Sequence, residues 1–575
     1  MSLPFPSLFD RAKNWFSFSE KRRSRNHLDE TSFFSHAQNV TVSGGQFIDA
    51  SNVNDMRINY VNNVISNGKA VFELLEPYAC LEATKDSSAR HPPPLCHPET
   101  RLKIRNRLRK WLFSDHNEWK LLWVRGPAGT GKSAVAQSFG DSSVEAKRHG
   151  ASYFFSRIAG RNKLETLVPT VVYQLAVTIP EYRSLIEHHL ANNPLLLHNS
   201  PPVQFRQLIV DPFTTLQRER AREPIVIILD GLDECEGQKA QWEILEMITN
   251  AIRKSPDLPL RWLIFSRPEA HLKNVFSRYV ECRREELIID AECRENVEQY
   301  VKDQLIEIKI MYKDMIPVDW PSEDKLLELL NAISGLFVLA STCLNYIGGP
   351  EEADPQSQLD SLLTYMCHSQ DIVFGNPLAS LDLLYTQILE DLPPKGWEVT
   401  WRILAYMTHG SKIDSATVLS TPQVLSNFLQ LDQRGFYKAV HGLHSIMKVS
   451  KPKDAALSRL QFHHSSFHDF LLNSTRSGRF TISERGAIMD IVRSGIYWYE
   501  VDVIHFHSHD GWAFDWDHKH DDLPGLLWVS DNRRFLSTSI TRFLEYGQGW
   551  YKRGIIEHGN CRQSRFTTNN RSNHD

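Results

Sequence analysis

The pattern of apolar and polar positions divides the chain into short continuous apolar runs and longer stretches with helical spacing. A short apolar run rich in β-branched residues is typical of a parallel strand that is buried on both faces. Around these runs, apolar residues recur with the helical period, as over residues 101–118. The predicted strands lie at 121–124, 150–156, 225–229 and 261–266. Strands that alternate with helices predict a doubly wound α/β domain with a parallel sheet.

The second half of the chain has mainly helical spacing. Residues 290–348 are predicted to be helical, and short helices continue beyond them, with one strand predicted at 457–462. The run from Leu329 to Ile347 carries no charge, but it contains Ser334 and Gly335 and lacks the flanking aromatic and basic residues of a membrane span. We therefore expect a buried helix there and no transmembrane segment.

Composition and charge indicate the general class of the protein and its cellular compartment. With 41% hydrophobic and 23% charged residues, the 575-residue chain has an ordinary globular composition and room for about two to four domains. A net charge of −4 gives no general attraction to nucleic acid, so no nucleic-acid partner is predicted. The eight cysteines form no C-x-x-C pair, and the N-terminus does not have the pattern of a secretory signal. We expect reduced thiols and a cytoplasmic protein.

A phosphate-binding loop follows the first predicted strand. Residues 126–133 read G-x-x-x-x-G-K-S, and a helix-compatible run comes directly after them. In such a loop, backbone N–H groups surround a polyphosphate, the lysine adds charge for the β- and γ-phosphates, and the serine hydroxyl serves Mg²⁺. The predicted nucleotide-binding residues are Gly126, Pro127, Ala128, Gly129, Thr130, Gly131, Lys132, Ser133 and Ala134. Ser133 is also a predicted metal ligand.

An acidic motif after the third predicted strand supports this interpretation. Asp230 follows the apolar run 225–229, at the carboxyl end of the strand, where open α/β sheets place their ligand sites. A carboxylate at this position can hold Mg²⁺, and Asp233 or Glu234 can polarise an attacking water. Arg267 ends the next predicted strand in the same way, so we expect its guanidinium beside the γ-phosphate. The two motifs together predict a nucleotide-binding protein.

With these blocks in order, the chain resembles a fungal NACHT protein of the STAND class of signal-transduction NTPases, with a nephrocystin-3-like N-terminal NTPase region. The resemblance covers about residues 76 to 480. It rests on GPAGTGKS (126–133), YFFSR (153–157), QLA (174–176), LDGLDEC (229–235), FSRPE (265–269), SGLFVLA (334–340) and HHSSFHDFLL (463–472), with CHPETR (96–101) as a lead-in segment.

The resemblance implies a three-layer P-loop NTPase core, followed by helical and winged-helix-like domains that close over ATP or ADP. It implies that Lys132 and Ser133 bind phosphate and Mg²⁺, and that Asp230 helps to hold the metal. It further implies that Arg267 is a sensor and that His464 contacts the diphosphate of ADP. It implies the NTPase core (76–290), a helical domain (291–375) and a winged-helix-like domain (376–480). For the regions outside the resemblance, composition and pattern predict a partly disordered N-terminal region with a candidate β segment (1–75) and a helical C-terminal region with a disordered tail (481–575).

The function implied is a switch that is ADP-bound at rest and ATP-bound and homo-oligomeric when triggered. Its hydrolysis of ATP would be slow, with Asp233, Glu234 and Arg267 as catalytic residues. The switch would act with an unknown signalling partner in fungal innate-immunity or heterokaryon-incompatibility-type signalling. Two alternatives stay open: a P-loop enzyme acting on a second substrate, and a nucleotide-binding scaffold without turnover. The histidines between His505 and His520 are a separate candidate metal site, although no cysteine joins them.

Overall fold

The computed structural model of the chain describes residues 70–114, 119–219, 223–349, 354–368, 378–413, 421–491 and 493–494. Most of the predicted N-terminal region, the histidines between His505 and His520, and the polar tail lie outside these described residues. The predictions made for those three segments therefore stay predictions.

A five-stranded parallel sheet forms the centre of the first half of the chain. Its strands are β1 (Leu121–Arg125), β2 (His149–Phe154), β3 (Ile225–Asp230), β4 (Leu260–Ser266) and β5 (Cys282–Glu286). They lie in the order β2-β3-β4-β1-β5, and every neighbouring pair is parallel. The predicted doubly wound α/β fold is confirmed. The fifth strand was not predicted.

Helices account for most of the remaining described residues. Those that connect and cover the sheet are α1 (Ala70–Leu75), α2 (Leu102–Phe113), α3 (Lys132–Glu145), α4 (Leu167–Thr178), α5 (Pro180–Asn192), α6 (Pro201–Gln204), α7 (Asp211–Glu219), α8 (Gln238–Lys254) and α9 (Ala270–Ser277). A π-helical segment, Phe205–Val210, joins α6 to α7.

The sheet has a separate hydrophobic core on each face, which makes three layers. Side chains alternate along a strand, so Leu121 and Trp123 of β1 point into one core while Leu122 and Val124 point into the other. Helices α4, α5, α8 and α9 cover the first face, and α2 and α3 cover the second. Full burial of each large apolar side chain is worth about 2 kcal/mol, which explains the continuous apolar runs of the central strands β1 and β3.

The helical elements after the sheet pack around a third core. They are α10 (Ala291–Met311), α11 (Glu323–Ile333), α12 (Phe337–Ile347), α13 (Pro355–His368), α14 (Ala379–Glu390), α15 (Trp397–Ile413), α16 (Pro422–Phe428), α17 (Gln433–Val440), α18 (Ser465–Leu472) and α19 (Ser474–Ser477), and residues 484–491 are also helical. Strands β6 (Met447–Lys448) and β7 (Gln461–Phe462) form a short antiparallel pair directly before α18. None of the described helices has the length and hydropathy that a bilayer span requires.

The run from Leu329 to Ile347 differs from the single buried helix that its composition predicts. Helix α11 ends at Ile333, and the chain then passes through Ser334 and Gly335, with φ of 53° and 80°, before α12 begins. Consecutive left-handed residues cannot continue a right-handed helix, so the run forms two helices joined by a tight turn. This turn brings the first residues of α12 to the phosphate-binding loop.

Candidate functional site

The phosphate-binding loop between β1 and α3 turns through two glycines with left-handed backbone. Gly129 has φ +78° and Gly131 has φ +84°, a region that glycine adopts without steric cost. A Cβ atom on Gly129 would lie 2.2 Å from Cγ1 of Val338, so α12 packs directly against the loop. Ala128, Gly129 and the first turn of α3, including Ala134, line a cavity of about 900 Å³.

The other residues of the loop form its back and do not line that cavity. Thr130 is 1% exposed, and its hydroxyl donates to the carbonyl oxygen of Pro127 at 3.0 Å. A Cβ atom on Gly126 would lie 2.8 Å from the carbonyl oxygen of Leu287, so this position leaves no room for a side chain. These residues shape the loop, and its other residues line the cavity.

Lys132 lies folded against its own loop. Its Nζ donates to the carbonyl oxygens of Gly126 at 2.8 Å and Pro127 at 2.7 Å. Burial lowers the pKa of Lys132 to about 8, and Arg267 lowers it further while Asp233 opposes both. The ammonium is mainly protonated at neutral pH, and phosphate oxygens can replace the two carbonyl acceptors.

Asp230 and Ser133 provide oxygen ligands at the carboxyl end of β3. Asp230 is 4% exposed, and its Oδ1 has no hydrogen-bond partner among the described residues. Burial raises the pKa of Asp230 to about 6, while a hydrogen bond with Ser133 and the charges of Arg90 and Lys132 limit the rise. Mg²⁺ prefers such oxygens and usually takes only one or two of them from the protein. The unpartnered carboxylate oxygen therefore fits a metal held by Asp230 and Ser133.

The two acidic residues that follow Asp230 have different surroundings. Asp233 accepts the backbone N–H of Arg267 through Oδ1 at 2.9 Å, and its Oδ2 lies 3.4 Å from Nε of Arg267. Glu234 accepts the backbone N–H of Arg157 through Oε2 at 3.1 Å. Burial raises the pKa of Glu234, and the charge of Asp233 raises it further. Asp233 thus positions Arg267, whereas Glu234 carries a cavity-facing carboxylate that binds a proton more readily than usual.

Arg267 joins the end of β4 to helix α18. Its Nη1 lies 2.5 Å from Oδ2 of Asp469, and its Nη2 donates to Oγ of Ser465 at 3.2 Å. Burial acts to lower the pKa of Arg267, but Asp469 and Asp233 outweigh it and raise the pKa overall. The arginine therefore stays charged and, in this conformation, is fully engaged by carboxylates and a hydroxyl.

His464 lines the same cavity at the start of α18. Its Nδ1 accepts the backbone N–H of Ser466 at 3.0 Å and caps the helix. Burial lowers the pKa of His464 to about 3, and the nearby Arg267 and Lys132 lower it further. A neutral imidazole that accepts at Nδ1 carries its proton on Nε2, so His464 can donate one hydrogen bond to an anion.

The opposite end of the cavity is apolar and aromatic. Tyr300 of α10 and Phe337 of α12 have ring centroids 6.0 Å apart, and His97 packs edge-on to Tyr300 at 5.4 Å. Cys96 and Val338 also line this end. A cavity that is charged at one end and aromatic at the other suits a ligand with a polyphosphate and a planar base.

The sequence analysis missed four cavity-lining arginines, because their roles depend on contacts between distant segments: Arg90, Arg101, Arg161 and Arg459. Arg101 donates to the carbonyl oxygen of Thr130 at 2.8 Å and to Sγ of Cys293 at 2.9 Å, which ties the loop to α10. Arg90 is 9% exposed and its charge acts on Asp230. Arg101 belongs to the CHPETR segment, which was a usable signal; no sequence signal pointed to Arg90.

Comparisons with known proteins find likenesses for one segment of the chain. Residues 102–267 match the family described as Nephrocystin 3, N-terminal. A segment of 183 residues, 31% of this chain, is 23% identical to the vegetative incompatibility protein HET-E-1 of Podospora anserina, and this match spans 13% of that relative. The matched segment is a NACHT-like P-loop NTPase domain. A P-loop NTPase domain is a nucleotide-binding domain, which agrees with the two ends of the cavity.

Two solved structures can be superposed over much of the chain with low scores. The Walker-type ATPase of Pyrococcus abyssi is 13% identical, with a TM-score of 0.31, and the match covers 66% of this chain and 98% of that one. PCH-2 of C. elegans is 11% identical, with a TM-score of 0.25, and the match covers 64% and 97%. The α/β fold of the NACHT-like domain is evident from its own strand order. His464 and Asp469 lie outside the segment that matches the family, so the cavity has walls from both parts of the chain.

Proposed function

We propose that this chain is a nucleotide-operated switch. In this proposal it binds ATP or ADP with Mg²⁺ in the cavity, hydrolyses ATP slowly, and changes its conformation and self-association with the nucleotide bound. The observation that carries the proposal is the contact of Arg267 with Asp469 and Ser465. One arginine at the carboxyl end of the sheet thereby also holds a helix from the other side of the cavity.

The contact makes Arg267 available to only one set of partners at a time. A guanidinium near a γ-phosphate forms charge-assisted hydrogen bonds with its oxygens, and these would compete with the carboxylate of Asp469. A ligand shifts a conformational equilibrium only through its different affinity for the two states. Only ATP carries the γ-phosphate that would draw Arg267 away from Asp469. ATP and ADP would therefore favour different arrangements of α18.

The remaining site residues take the roles for which their surroundings suit them. Lys132 neutralises the phosphates, and Ser133 with Asp230 holds Mg²⁺. Glu234, with its raised pKa, takes the proton of the attacking water, while Asp233 acts through Arg267 as a positioning residue. His464 donates Nε2–H to a phosphate oxygen of ADP and so favours the closed arrangement.

The wider proposal concerns the parts of the chain beyond the NACHT-like domain. We infer that residues 291–375 and 376–480 act as helical and winged-helix-like domains that close over the nucleotide; the β6–β7 pair directly before α18 supports the second. The likeness to a vegetative incompatibility protein supports a role in incompatibility-type signalling. Self-association and an unknown signalling partner are further parts of the same proposal. Turnover of a separate substrate is the competing function, and the measurement below distinguishes the two.

The test is the nucleotide content and turnover of the purified chain. We expect the wild type to carry ADP, to hydrolyse ATP slowly and to assemble with ATP, as measured by chromatography of extracted nucleotide, phosphate release and light scattering. Lys132→Ala should lose the nucleotide, and Glu234→Gln should bind ATP without hydrolysing it. The exposed Lys254→Ala is the matched control and should behave as wild type. Fast turnover without assembly would contradict the switch, and absence of nucleotide binding would contradict the site itself.

A further inference from the structure

The cavity extends from the phosphate-binding loop to the end of strand β2. From the aromatic end at Tyr300 and Phe337 it runs along the carboxyl edge of the sheet, past Asp230, to the end of β2. We call its far part the β2-side annex, which is lined by Arg90, Phe154, Ser156, Arg161 and Arg459. A volume of about 900 Å³ is near the upper end for small-ligand sites. The annex therefore offers charged and polar lining groups for a second, smaller ligand beside the phosphate end.

The register of the sheet puts the annex next to the metal-binding carboxylate. Phe154, the last residue of β2, is the register partner of Asp230, the last residue of β3. Neighbouring strands lie about 4.8 Å apart, and paired residues of parallel strands point to the same face. If the nucleotide phosphates extend from Lys132 towards Asp230, as the proposed function requires, the annex lies on the far side of the γ-phosphate position.

Arg161 is held rigidly at the annex and has an unused donor. Two backbone hydrogen bonds of 2.9 Å pair Ser156 with Arg161, and Gly160 makes the turn between them with φ +69°. Nε of Arg161 is buried and has no hydrogen-bond partner among the described residues. A buried guanidinium donor without an acceptor costs free energy, which a bound anion would recover.

Arg90 is the second cation of the annex. Its guanidinium lies 3.4 Å above the ring centroid of Phe154, and Nη1 donates to Gln137 Oε1 and to the carbonyl oxygen of Lys85, both at 2.8 Å. Among the described residues, this guanidinium donates its hydrogen bonds through Nη1. Burial lowers the pKa of Arg90 to about 10, so the group is still charged at neutral pH.

The β7 segment covers the annex from outside. Arg459 pairs with Glu82 at 2.8 Å, and Nε2 of Gln461 donates to the carbonyl oxygen of Ala89 at 3.1 Å. These contacts join the segment before α18 to the lead-in segment that carries Arg90. A small ion in the annex would therefore leave slowly unless this cover moves.

We propose that the β2-side annex is an oxyanion site that holds inorganic phosphate beside the γ-phosphate position, with Arg161 and Arg90 as its donors. This inference rests on the proposed function. In hydrolysis, a water oxygen bonds to the γ-phosphorus while the bond to the bridging oxygen breaks, with its electron pair left on ADP. The products are ADP, hydrogen phosphate and one proton, which Glu234 accepts and passes to solvent. Phosphate then moves into the annex and stays there while ADP is bound.

The first experiment measures the release of a fluorescent N-methylanthraniloyl ADP from the full chain, with and without added inorganic phosphate. We expect phosphate to slow the release several-fold in the wild type and in Arg253→Gln, a control at an exposed arginine that pairs with Glu281. Arg161→Gln should bind the labelled ADP but lose the effect of phosphate, and Arg161→Lys should keep part of it. Equal slowing in Arg161→Gln and wild type would overturn the site.

A second arm distinguishes phosphate made by the protein from phosphate taken up from solution. In a single turnover of ATP, a phosphate-binding sensor should report release later than bond cleavage in the wild type and together with cleavage in Arg161→Gln. Simultaneous cleavage and release in the wild type would overturn retention of the product. Failure of the wild type to bind labelled ADP would count against the nucleotide site instead, so the two proposals fail in different ways.

Discussion

Nη1 of Arg267 lies 2.5 Å from Oδ2 of Asp469, and this contact joins the end of strand β4 to helix α18. The two side chains are separated by 202 positions in the sequence, and each is about a quarter exposed. The contact leaves Arg267 with a second carboxylate, Asp233, on the sheet side. An arginine placed between two carboxylates at a phosphate site has partners to exchange when the phosphate arrives.

Asp469→Asn should therefore loosen the closed conformation. The amide keeps the shape of the side chain but removes its charge, and losing a partly exposed ion pair costs about 1–2 kcal/mol, or roughly tenfold in an equilibrium constant. We expect ADP to leave about ten times faster, as followed with a fluorescent analogue. Asp382→Asn, which breaks the Asp382–Arg476 pair away from the cavity, is the control. Equal acceleration in both variants would show that general destabilisation is the cause.

The sequence predicted the strands and motifs whose signals are local. The apolar runs of β1 and β3 are continuous because both faces of those strands are buried, and the phosphate-binding loop directly follows one of them. Strand β5 reads CRREE and was missed, because it lies at the edge of the sheet with several side chains exposed. Propensity and periodicity describe a half-exposed edge strand poorly.

The site was predictable only where a motif carried it. In the structure the cavity-lining loop residues, Asp230 and Arg267 lie at one edge of the sheet, since the carboxyl ends of parallel strands meet there, and the functions assigned to them stay predictions. The partners of Arg267 could not be predicted, because a contact over about 200 positions depends on how two folded regions pack. The same holds for Arg90 and Arg161, whose surroundings come from several separate segments.

The two left-handed glycines of the loop should differ in their tolerance of alanine. At Gly131 a Cβ atom would meet nothing closer than 3.9 Å, so Gly131→Ala costs only backbone strain, about 1–2 kcal/mol. At Gly129 the same strain is joined by a 2.2 Å clash with Val338. We expect a lower melting temperature and weaker ADP binding for Gly129→Ala than for Gly131→Ala.

A double variant distinguishes the backbone strain at Gly129 from the clash with Val338. Adding Val338→Ala to Gly129→Ala removes the clashing Cγ1 atom but leaves the Cβ atom of position 338 at 3.0 Å, so the double variant should recover part of the stability and stay below Gly131→Ala. Val338→Ala alone is the control for the lost packing. No recovery in the double variant would mean that α12 does not pack on the loop as described.

Substitutions of His464 should separate its two hydrogen bonds. Asparagine is also a good helix cap but cannot place a donor where Nε2 lies, whereas alanine provides neither group. We expect His464→Asn to keep the free energy of unfolding within about 1 kcal/mol of the wild-type value and to weaken ADP binding. His464→Ala should lower both the free energy of unfolding and the affinity for ADP. Calorimetric unfolding and ADP titration measure the two effects. Equal ADP affinity in wild type and His464→Asn would contradict the phosphate contact.

Because the pKa of His464 is lowered to about 3, its imidazole is neutral throughout the physiological range. The imidazole is protonated only in strong acid. There Nδ1 could no longer accept the backbone N–H of Ser466, and the helix cap would be lost. We therefore expect no change in ADP affinity from pH 6 to pH 8 that depends on His464. A pH-dependent step in that range that disappears in His464→Asn would show that the imidazole is charged in the folded protein.

Asp230 should make the empty protein less stable as the pH rises. Its pKa is about 6 in the folded chain against an ordinary value of 3.8, so the folded state binds the proton more tightly than the unfolded state. Stability therefore falls between these two pH values and stays lower above them, by about 3 kcal/mol. Asp230→Asn cannot ionise, so without nucleotide or Mg²⁺ it should be more stable than wild type near pH 7.5 and equal to it near pH 3.5.

Urea unfolding at several pH values measures this difference, with the exposed Asp257→Asn as the matched control. Mg²⁺ and ATP should reverse the order near pH 7.5, because only the wild-type carboxylate gains a cation, and binding to the folded state alone adds stability. A stability gap that does not change with pH would mean that Asp230 is not desolvated in the folded chain. A gap that changes with pH but is unaffected by Mg²⁺ and ATP would leave the carboxylate buried without a metal-binding role.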